Sequence, residues 1–274
     1  MNYRHAFHAG NFADCFKHAL LVVLLESLAR KPAPFSVMDT HAGSGRYDLS
    51  ADAARRTEEA QGGILRLLAN RPDGSPLVPY LDLIGRLGLY PGSPLIIRTL
   101  LRPADRLVCC EKHSEEAAAL KSLFHDDRQV EVHARSGWEA MGALLPPKQK
   151  RGLVFIDPPY EARDEFATLV AALKTGHARF GHGVFAAWYP IKGLASVHGF
   201  HADVKAASIR DVIAVNMCLR DPTDPERMNG CGLLVVNPPY RFAEAAETLA
   251  RAVLAGLGPA EPGAGVQLLR LADE

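Results

Sequence analysis

The chain has 274 residues, of which 48% are hydrophobic and 23% are charged, and its 31 basic and 31 acidic side chains cancel. This size and composition are typical of one large globular domain, or of one domain with an insertion. The zero net charge argues against broad, non-specific binding to DNA, so any basic surface must be local, as at Arg4–His5, Arg55–Arg56 and Lys148–Arg151.

Apolar runs that suit strands alternate with helical segments, which is the pattern of an α/β fold with a mostly parallel sheet. The N-terminal stretch from Ala13 to Leu28 has helical spacing, and Pro32 and Pro34 end it. The residues after Pro259 are expected to form a loosely tethered tail. Seven strands are predicted, near Phe35–Thr40, Arg106–Glu111, Val130–His133, Leu153–Asp157, Gly183–Tyr189, Val212–Leu219 and Leu233–Asn237.

The connection between the last two predicted strands, Arg220 to Gly232, is too short for a crossover helix, so these strands should be antiparallel. Six parallel strands followed by one reversed strand is the layout of the Rossmann-like class I methyltransferases. Residues 48–100 are predicted to be an inserted helical subdomain, which leaves 1–47 and 101–274 as the main domain. The insertion either helps to hold a large substrate or covers one edge of the sheet.

The cysteine pattern and the hydropathy exclude several classes of protein. The five cysteines form no CxxC pair, so neither a disulfide framework nor a zinc site is predicted. The longest apolar run, Ala19 to Leu25, is far shorter than the about 20 residues that span a membrane, and it lacks the layout of a secretory signal. We therefore expect a cytoplasmic protein, and the absence of heptads favours a monomer.

The tetrapeptide Asp157-Pro158-Pro159-Tyr160 closes the fourth predicted strand. Asp157 can accept a hydrogen bond or a proton from an amine, and the prolines hold their carbonyl groups rigidly because their φ is fixed. Tyr160 offers a flat face on which a base can stack. These groups suit the N6 amine of adenine, so Asp157, Pro158 and Tyr160 are the predicted catalytic residues, and Tyr160 also contacts the substrate.

A second copy of the motif, Asn237-Pro238-Pro239-Tyr240, ends the last predicted strand. Ligands of open α/β sheets bind at the carboxyl ends of the parallel strands, which is where Asp157 is expected. If the last strand is antiparallel, Asn237 lies at the opposite edge. The second copy is therefore predicted to be a structural stop.

The first predicted strand ends in the acid and the glycine-rich turn of Asp39–Gly45, which is typical of a nucleotide-like cofactor site, and Gly43 lets the backbone approach the ligand. The turn lacks the third glycine of a dinucleotide fingerprint and the Lys of a P-loop, which disfavours NAD and ATP. Glu111 is placed to accept hydrogen bonds from both ribose hydroxyls. It follows Gly45 by 66 residues, against about 20 in the usual fingerprint, which is the evidence for the insertion.

Ser136 follows the third predicted strand, where a methyltransferase contacts the adenine ring of S-adenosylmethionine. An ordinary turn that caps the next helix is an equally compatible interpretation.

The N-terminal segment is rich in polar groups, including His5, His8, Asp14 and His18. Its histidines have neither HxxxH nor HExxH spacing, so a metal site is disfavoured and no metal is predicted. A lid over cofactor and substrate is the favoured interpretation.

Four motifs resemble the ribosomal RNA large subunit methyltransferase J family, namely the pattern over Tyr3–His18, Asp39–Tyr47, Tyr90–Pro94 and Asp157–Glu161. That family methylates N6 of one adenine in 23S rRNA. The resemblance implies S-adenosylmethionine as cofactor, 23S rRNA (protein-free or in an early assembly intermediate) as partner, and Tyr3 near the target adenine. The family has Asp where this chain has Ser136. The implied cofactor contacts are His18, His41, Ser93, Glu111, Ser136, Gly137 and Asp157.

Three other functions stay open from the sequence. The nearest is a DNA adenine-N6 methyltransferase, because the DPPY motif acts on adenine in either polymer. The others are a non-catalytic RNA-binding protein, against which the intact Asp157 argues, and a metal hydrolase built on the N-terminal histidines. The zero net charge and the lack of a DNA-reading module favour a structured RNA.

Overall fold

A computed structural model describes residues 8–49, 58–71, 74–162 and 164–273. The strands within these ranges are β1 (Ser36–Asp39), β2 (Arg46–Tyr47), β3 (Tyr90–Pro91), β4 (Arg106–Glu111), β5 (Val130–Ala134), β6 (Gly152–Ile156), β7 (Val184–Ile191), β8 (Val212–Cys218), β9 (Gly230–Val236) and β10 (Gly265–Ala272). The helices are α1 (Phe12–Ala29), α2 (Glu59–Gly62), α3 (Ile64–Ala69), α4 (Val78–Leu87), α5 (Ser93–Leu100), α6 (Ser114–Leu123), α7 (Gly137–Leu144), α8 (Glu165–Arg179), α9 (Leu194–Ala206) and α10 (Phe242–Gly256).

The main sheet has the strand order β10-β8-β9-β7-β6-β1-β4-β5. Strands β5, β4, β1, β6 and β7 pair in parallel. Strand β9 inserts between β7 and β8 and is antiparallel to both. The predicted Rossmann-like class I methyltransferase fold is confirmed, including the reversal of its seventh predicted strand.

An eighth strand of the main sheet corrects the prediction of a loose C-terminal tail. Strand β10 pairs antiparallel with β8 from Gly265, which faces Cys218, onward. Its apolar side chains alternate between the two faces of the sheet, with Leu268 packing on one side and Leu269 on the other. The strand covers the edge of β8 that would otherwise be unpaired. The Pro, Gly and Ala residues that precede this run gave the segment the composition of a loop.

The parallel strands are buried on both faces, as the helices on either side require. In β6, Leu153 and Phe155 enter the core that contains α1, α4, α5 and α10. Val154 and Ile156 point the other way, into the core formed with α7, α8 and α9. This alternation follows from the two-residue period of a strand, and it fixes which residue of each strand ends at the site.

Helix α1 begins after Asn11, whose side-chain oxygen accepts a hydrogen bond from Asp14 N at 2.9 Å. The helix is buried on nearly all sides and ends at Ala29, just before the prolines that were predicted to stop it. Its first two turns lie at the carboxyl edge of the sheet and carry Lys17 and His18. None of the helices in the described ranges has the length and apolar character needed to cross a membrane.

The chain enters and leaves the predicted insertion at one place. Strand β2 pairs antiparallel with β3, and Gly92 N donates to Gly45 O at 2.9 Å. This closure starts α5 beside the end of β1. Within residues 48–100 the structure describes the helices α2, α3, α4 and α5, and residues 50–57 and 72–73 lie outside the described residues. The assignment of 48–100 as a separate unit stays a prediction.

A buried polar network between β7, β8 and α9 makes the stability of the fold depend on pH. The Tyr189 hydroxyl donates to Asn216 Oδ1 at 2.6 Å and lies 3.0 Å from His201 Nε2. Burial lowers the pKa of His201 to about 4, from 6.5 for an ordinary histidine. Between these values the unfolded chain binds a proton that the folded chain does not, so the free energy of unfolding should fall as the pH drops from 6.5 towards 4.

We expect the free energy of unfolding to fall by about 1–2 kcal/mol more in the unaltered protein than in His201→Gln when the pH changes from 7 to 5. Urea denaturation at the two pH values measures this difference. The matched control is His125→Gln, since His125 is exposed and should leave the pH dependence unchanged. Equal pH dependence in His201→Gln and the unaltered protein would contradict the assignment.

Candidate functional site

Three acidic side chains meet at the carboxyl edge of the parallel strands. Asp39 ends β1, Glu111 ends β4, and Asp157 directly follows β6. Strand β1 lies between β4 and β6, so the three acids come from adjacent strands. The structure thus brings the glycine-rich turn after β1 and the DPPY motif together at one edge of the sheet.

The carboxylate of Asp157 is held by a lysine of α1. Lys17 Nζ lies 2.6 Å from Asp157 Oδ2 and 2.7 Å from Asp14 Oδ1, and its side chain is only 5% exposed. The ammonium group also sits 5.4 Å from the centre of the Trp188 ring. Asp14 is itself fixed, because its Oδ2 accepts from Gly10 N at 2.8 Å. A cation shared between two carboxylates therefore orients Asp157 towards the site.

Tyr160 is fixed in place by both ends of its side chain. Its hydroxyl donates to the Trp188 carbonyl at 2.9 Å, and its ring centre lies 5.2 Å from that of Phe166. The residue has φ of +53°, in the left-handed region that is uncommon for a side chain of this size. Pro158 is buried beside it. This rigid corner leaves the tyrosine ring partly exposed next to Asp157.

Asp39 is the most buried acid of the site. It has no exposed surface, and its Oδ2 makes no hydrogen bond within the described part of the chain. Burial raises the pKa of Asp39 to about 7, the negative charge of Asp157 adds to this shift, and the nearby Ser93 hydroxyl opposes it. Ser93, at the start of α5, is the residue that the closed insertion brings to β1. A buried acceptor of this kind suits a polar ligand that fills the site.

Glu111 is positioned by backbone donors on both sides. Its Oε2 accepts from Gly43 N at 2.9 Å, and its Oε1 accepts from His113 N at 2.7 Å. Gly43 has φ of +59°, and a Cβ atom there would lie 2.4 Å from the Tyr47 hydroxyl, so only glycine fits. Each carboxylate oxygen keeps a second lone pair that can accept from a ligand. The pair of oxygens suits a vicinal diol.

His41 and Gly137 form the wall beside Gly43. The His41 ring lies edge-on to the Trp138 ring, with their centres 4.7 Å apart. Burial lowers the pKa of His41 to about 3, so the imidazole is neutral. A Cβ atom at Gly137 would lie 2.0 Å from Thr40 O, so the start of α7 packs directly on the cofactor turn. Ser136 occupies the N-cap position of α7, but its side chain makes no capping hydrogen bond.

The N-terminal polar residues have separate partners. His8 Nδ1 lies 2.8 Å from Glu59 Oε1, and His18 Nδ1 lies 3.1 Å from the Tyr90 hydroxyl. Among the residues that the structure describes, no three His, Cys, Asp or Glu side chains are grouped as metal ligands. Tyr3 and His5 lie outside the described residues, and the predicted lid and the predicted role of Tyr3 stay predictions.

The second copy of the motif lies at the opposite edge of the sheet, as the antiparallel direction of β9 requires. Asn237 Nδ2 donates to the carbonyl oxygens of Gly181 at 2.9 Å and Gly183 at 2.7 Å. Its φ of +50° turns the chain sharply after β9. These bonds support the prediction of a structural stop.

Lys17 and Trp188 are residues of the site that the sequence interpretation missed. The spacing of Asp14 and Lys17 predicts that they share one face of a helix, which the structure bears out. No local pattern indicates that α1 crosses the end of β6, because that contact joins residues 17 and 157.

Comparisons with known proteins agree with this geometry. The family described as "Ribosomal RNA large subunit methyltransferase D, RlmJ" matches residues 32–269. The chain belongs to this methyltransferase family. The resemblance that the four sequence motifs predicted is therefore confirmed.

Relatives in the RlmJ family match most of the chain. The ribosomal RNA large subunit methyltransferase J of Escherichia coli K12 is 37% identical over 250 residues, which cover 89% of each chain. The protein of that name from Haemophilus influenzae is 37% identical over 247 residues, or 88% of each chain. A crystal structure of a Legionella pneumophila protein has a TM-score of 0.88 and 34% identity, covering 96% of this chain and 98% of the other.

Proposed function

We propose that this protein transfers a methyl group from S-adenosylmethionine to the N6 amine of one adenine in 23S rRNA. The names of the Escherichia coli and Haemophilus influenzae relatives support a large-subunit rRNA methyltransferase. The observation that carries the finer proposal is the DPPY corner, in which Asp157 is oriented by Lys17 beside a rigid, partly exposed tyrosine ring.

The residues of the site fit the proposed cofactor. Glu111 offers two oriented oxygens for the ribose hydroxyls, and Gly43 and Gly137 allow the turn after β1 and the start of α7 to pack closely beside it. Asp39 supplies a buried, unbonded oxygen deeper in the site. When bound, S-adenosylmethionine supplies an electrophilic methyl group on its sulfonium. His18, His41, Ser93 and Ser136 are proposed to complete this half of the site.

The DPPY corner would make the adenine amine reactive by orientation. The lone pair of N6 is delocalised into the ring, so the amine is a poor nucleophile. Hydrogen bonds from its two N–H groups to Asp157 and to the Pro158 carbonyl would favour a tetrahedral nitrogen. Such alignment can supply several kcal/mol of the barrier lowering. The C–N bond would form as the bond from the methyl group to the sulfonium sulfur breaks, which leaves a neutral thioether, and one N6 proton would pass to the Asp157 carboxylate.

Tyr160 would supply the platform for the base. Since its hydroxyl is hydrogen-bonded to the Trp188 carbonyl, the side chain loses little further conformational entropy when a base stacks on the ring. The target adenine must leave its own stack to reach Asp157, as in other enzymes that modify a base. Tyr3 is proposed to approach the same adenine.

The proposed reaction is tested by incubating the protein with labelled S-adenosylmethionine and three acceptors. These are protein-free 23S rRNA, intact large subunits and DNA, and the products are digested and identified by mass spectrometry. We expect N6-methyladenosine from 23S rRNA. Label in DNA alone would assign the protein to the DNA-modifying class, and no label in any acceptor despite cofactor binding would contradict the proposal.

Replacement of Glu111 by Gln should weaken S-adenosylmethionine binding by about 10- to 100-fold, because one oriented oxygen becomes a donor facing the Gly43 or His113 amide. Isothermal titration calorimetry measures the change. Glu131→Gln is the matched control, because Glu131 is 71% exposed on the neighbouring strand β5. Unchanged affinity in Glu111→Gln would remove Glu111 from the proposed cofactor site.

A further inference from the structure

The edge of the sheet opposite to Asp157 carries a concentration of positive charge. Four loops meet there, residues 30–35, 145–151, 180–183 and 237–241, because the parallel strands begin and β9 ends at this edge. The four loops contain six Lys and Arg residues and no Asp or Glu. In a chain with zero net charge, this local excess must be balanced elsewhere.

The four loops form one fixed surface. Asn237 Nδ2 bonds the carbonyl groups of loop 180–183, and His182 Nε2 lies 2.7 Å from Lys150 O. Arg151 Nη2 donates to Leu28 O at 3.0 Å, and Arg102 Nη1 donates to Lys31 O at 2.8 Å. The backbone positions from which the basic side chains extend are therefore set by the fold.

The outermost cations of this surface have no protein partner. The side chains of Arg30, Lys31, Lys148 and Lys150 are exposed and make no hydrogen bond or ion pair within the described part of the chain. At the carboxyl edge, Lys17 is paired with two carboxylates and Arg220 with Glu261, whereas Lys112 and Lys192 are exposed there. Four unpaired cations therefore lie in neighbouring loops at this edge of the sheet, opposite to Asp157.

An exposed aromatic ring lies in the same surface. Tyr240, from the second copy of the motif, is 86% exposed, well above the other exposed large apolar side chains of the described residues. It follows Asn237, which is bonded to the loop that contains His182. Unpaired cations around an accessible aromatic ring are the combination that binds a nucleic-acid backbone and stacks one of its bases.

We infer that this surface, the basic patch of Arg30, Lys31, Lys148, Lys150, His182 and Tyr240, is a second RNA-binding surface. It rests on the proposed function, since the RNA that it binds is the 23S rRNA substrate. Strand β6 alone separates the patch from Asp157 by about 17 Å. The patch therefore contacts a part of the rRNA away from the target adenine, and it contributes to affinity and not to the transfer step.

The test removes three charges from the patch in Lys31→Ala/Lys148→Ala/Lys150→Ala. A matched control, Lys121→Ala/Lys174→Ala/Lys205→Ala, removes the same charge from exposed lysines of α6, α8 and α9. We expect the Kd for protein-free 23S rRNA to rise about tenfold or more in the patch variant, and the slope of log Kd against log salt to fall by about 2. The control should change the Kd by less than about twofold.

The readouts separate this inference from the proposed reaction. The patch variant should raise the KM for 23S rRNA at unchanged kcat, and Tyr240→Ala should weaken binding while Tyr240→Phe does not. Equal affinities of the patch and control variants, with a lower melting temperature in the patch variant, would show that the cations only stabilise the nearby C-terminal ends of α1 and α8. If the unaltered protein binds 23S rRNA but does not methylate it, the proposed reaction is wrong. The Kd values of the patch and control variants then still test whether the basic patch binds RNA.

Discussion

Replacement of Asp157 by Ala should abolish methyl transfer while the protein still binds S-adenosylmethionine. The carboxylate is the proposed proton acceptor at the end of β6, and a positioned general base typically contributes 10²- to 10⁴-fold. We therefore expect kcat to fall by about 10³-fold or more. Asp157→Asn keeps an oxygen that can accept the N6–H hydrogen bond, but it cannot take up the proton. Its kcat should therefore lie between that of Asp157→Ala and that of the unaltered protein.

Single-turnover measurements at saturating RNA and cofactor isolate this effect from binding. Asn237→Gly is the matched control, because Asn237 holds the corresponding place in the second motif and glycine tolerates its φ of +50°. The control should keep its kcat. Near-normal turnover in Asp157→Ala would exclude Asp157 as the catalytic acceptor.

Replacement of Lys17 by Met should lower both activity and stability. The cation is buried between two carboxylates, and removal of one member of a buried ion pair costs about 3–5 kcal/mol when the others remain charged. We expect the free energy of unfolding to fall by about 2–4 kcal/mol. We expect kcat to fall by about 10²-fold, because Asp157 loses the contact that orients it.

A second substitution separates these two effects. Asp14→Asn/Lys17→Met restores the charge balance around Asp157, so the stability should recover while kcat stays low. Denaturation curves measure the stability, and single-turnover measurements give kcat. Lys174→Met, at an exposed lysine of α8, is the control. Full activity in Lys17→Met would show that Lys17 is not needed to orient Asp157 and contributes only to stability.

The fold could be predicted from the sequence where the signal lies in a short stretch of residues. Strand β6 is a fully buried apolar run that ends at a proline pair, and the short polar connection between β8 and β9 required a reversal. The strand at the C-terminus escaped prediction because β10 follows a stretch of loop-forming residues and its place in the sheet depends on pairing with β8. Pairing partners of that kind are set by tertiary contacts and not by composition.

Some contacts of the candidate site could likewise be predicted from the sequence, and others could not. The acids at the ends of β1, β4 and β6 could be predicted to meet, since carboxyl ends of parallel strands share one edge. The hydrogen bond from Gly43 to Glu111 follows from the same rule. The contact between Lys17 and Asp157 could not be predicted, because the angle at which α1 crosses the sheet depends on packing against α5 and α10.

The span of that ion pair bears on how the protein matures. Lys17 lies in the first helix of the described chain, and its partner enters only after four strands of the main sheet have been made. Contacts of such high sequence separation form late, because the loop between them must close first. A partly folded chain that already holds the turn after β1 would still lack an oriented Asp157. Methylation activity therefore requires that the sheet has folded completely, and partly folded chains should not methylate RNA.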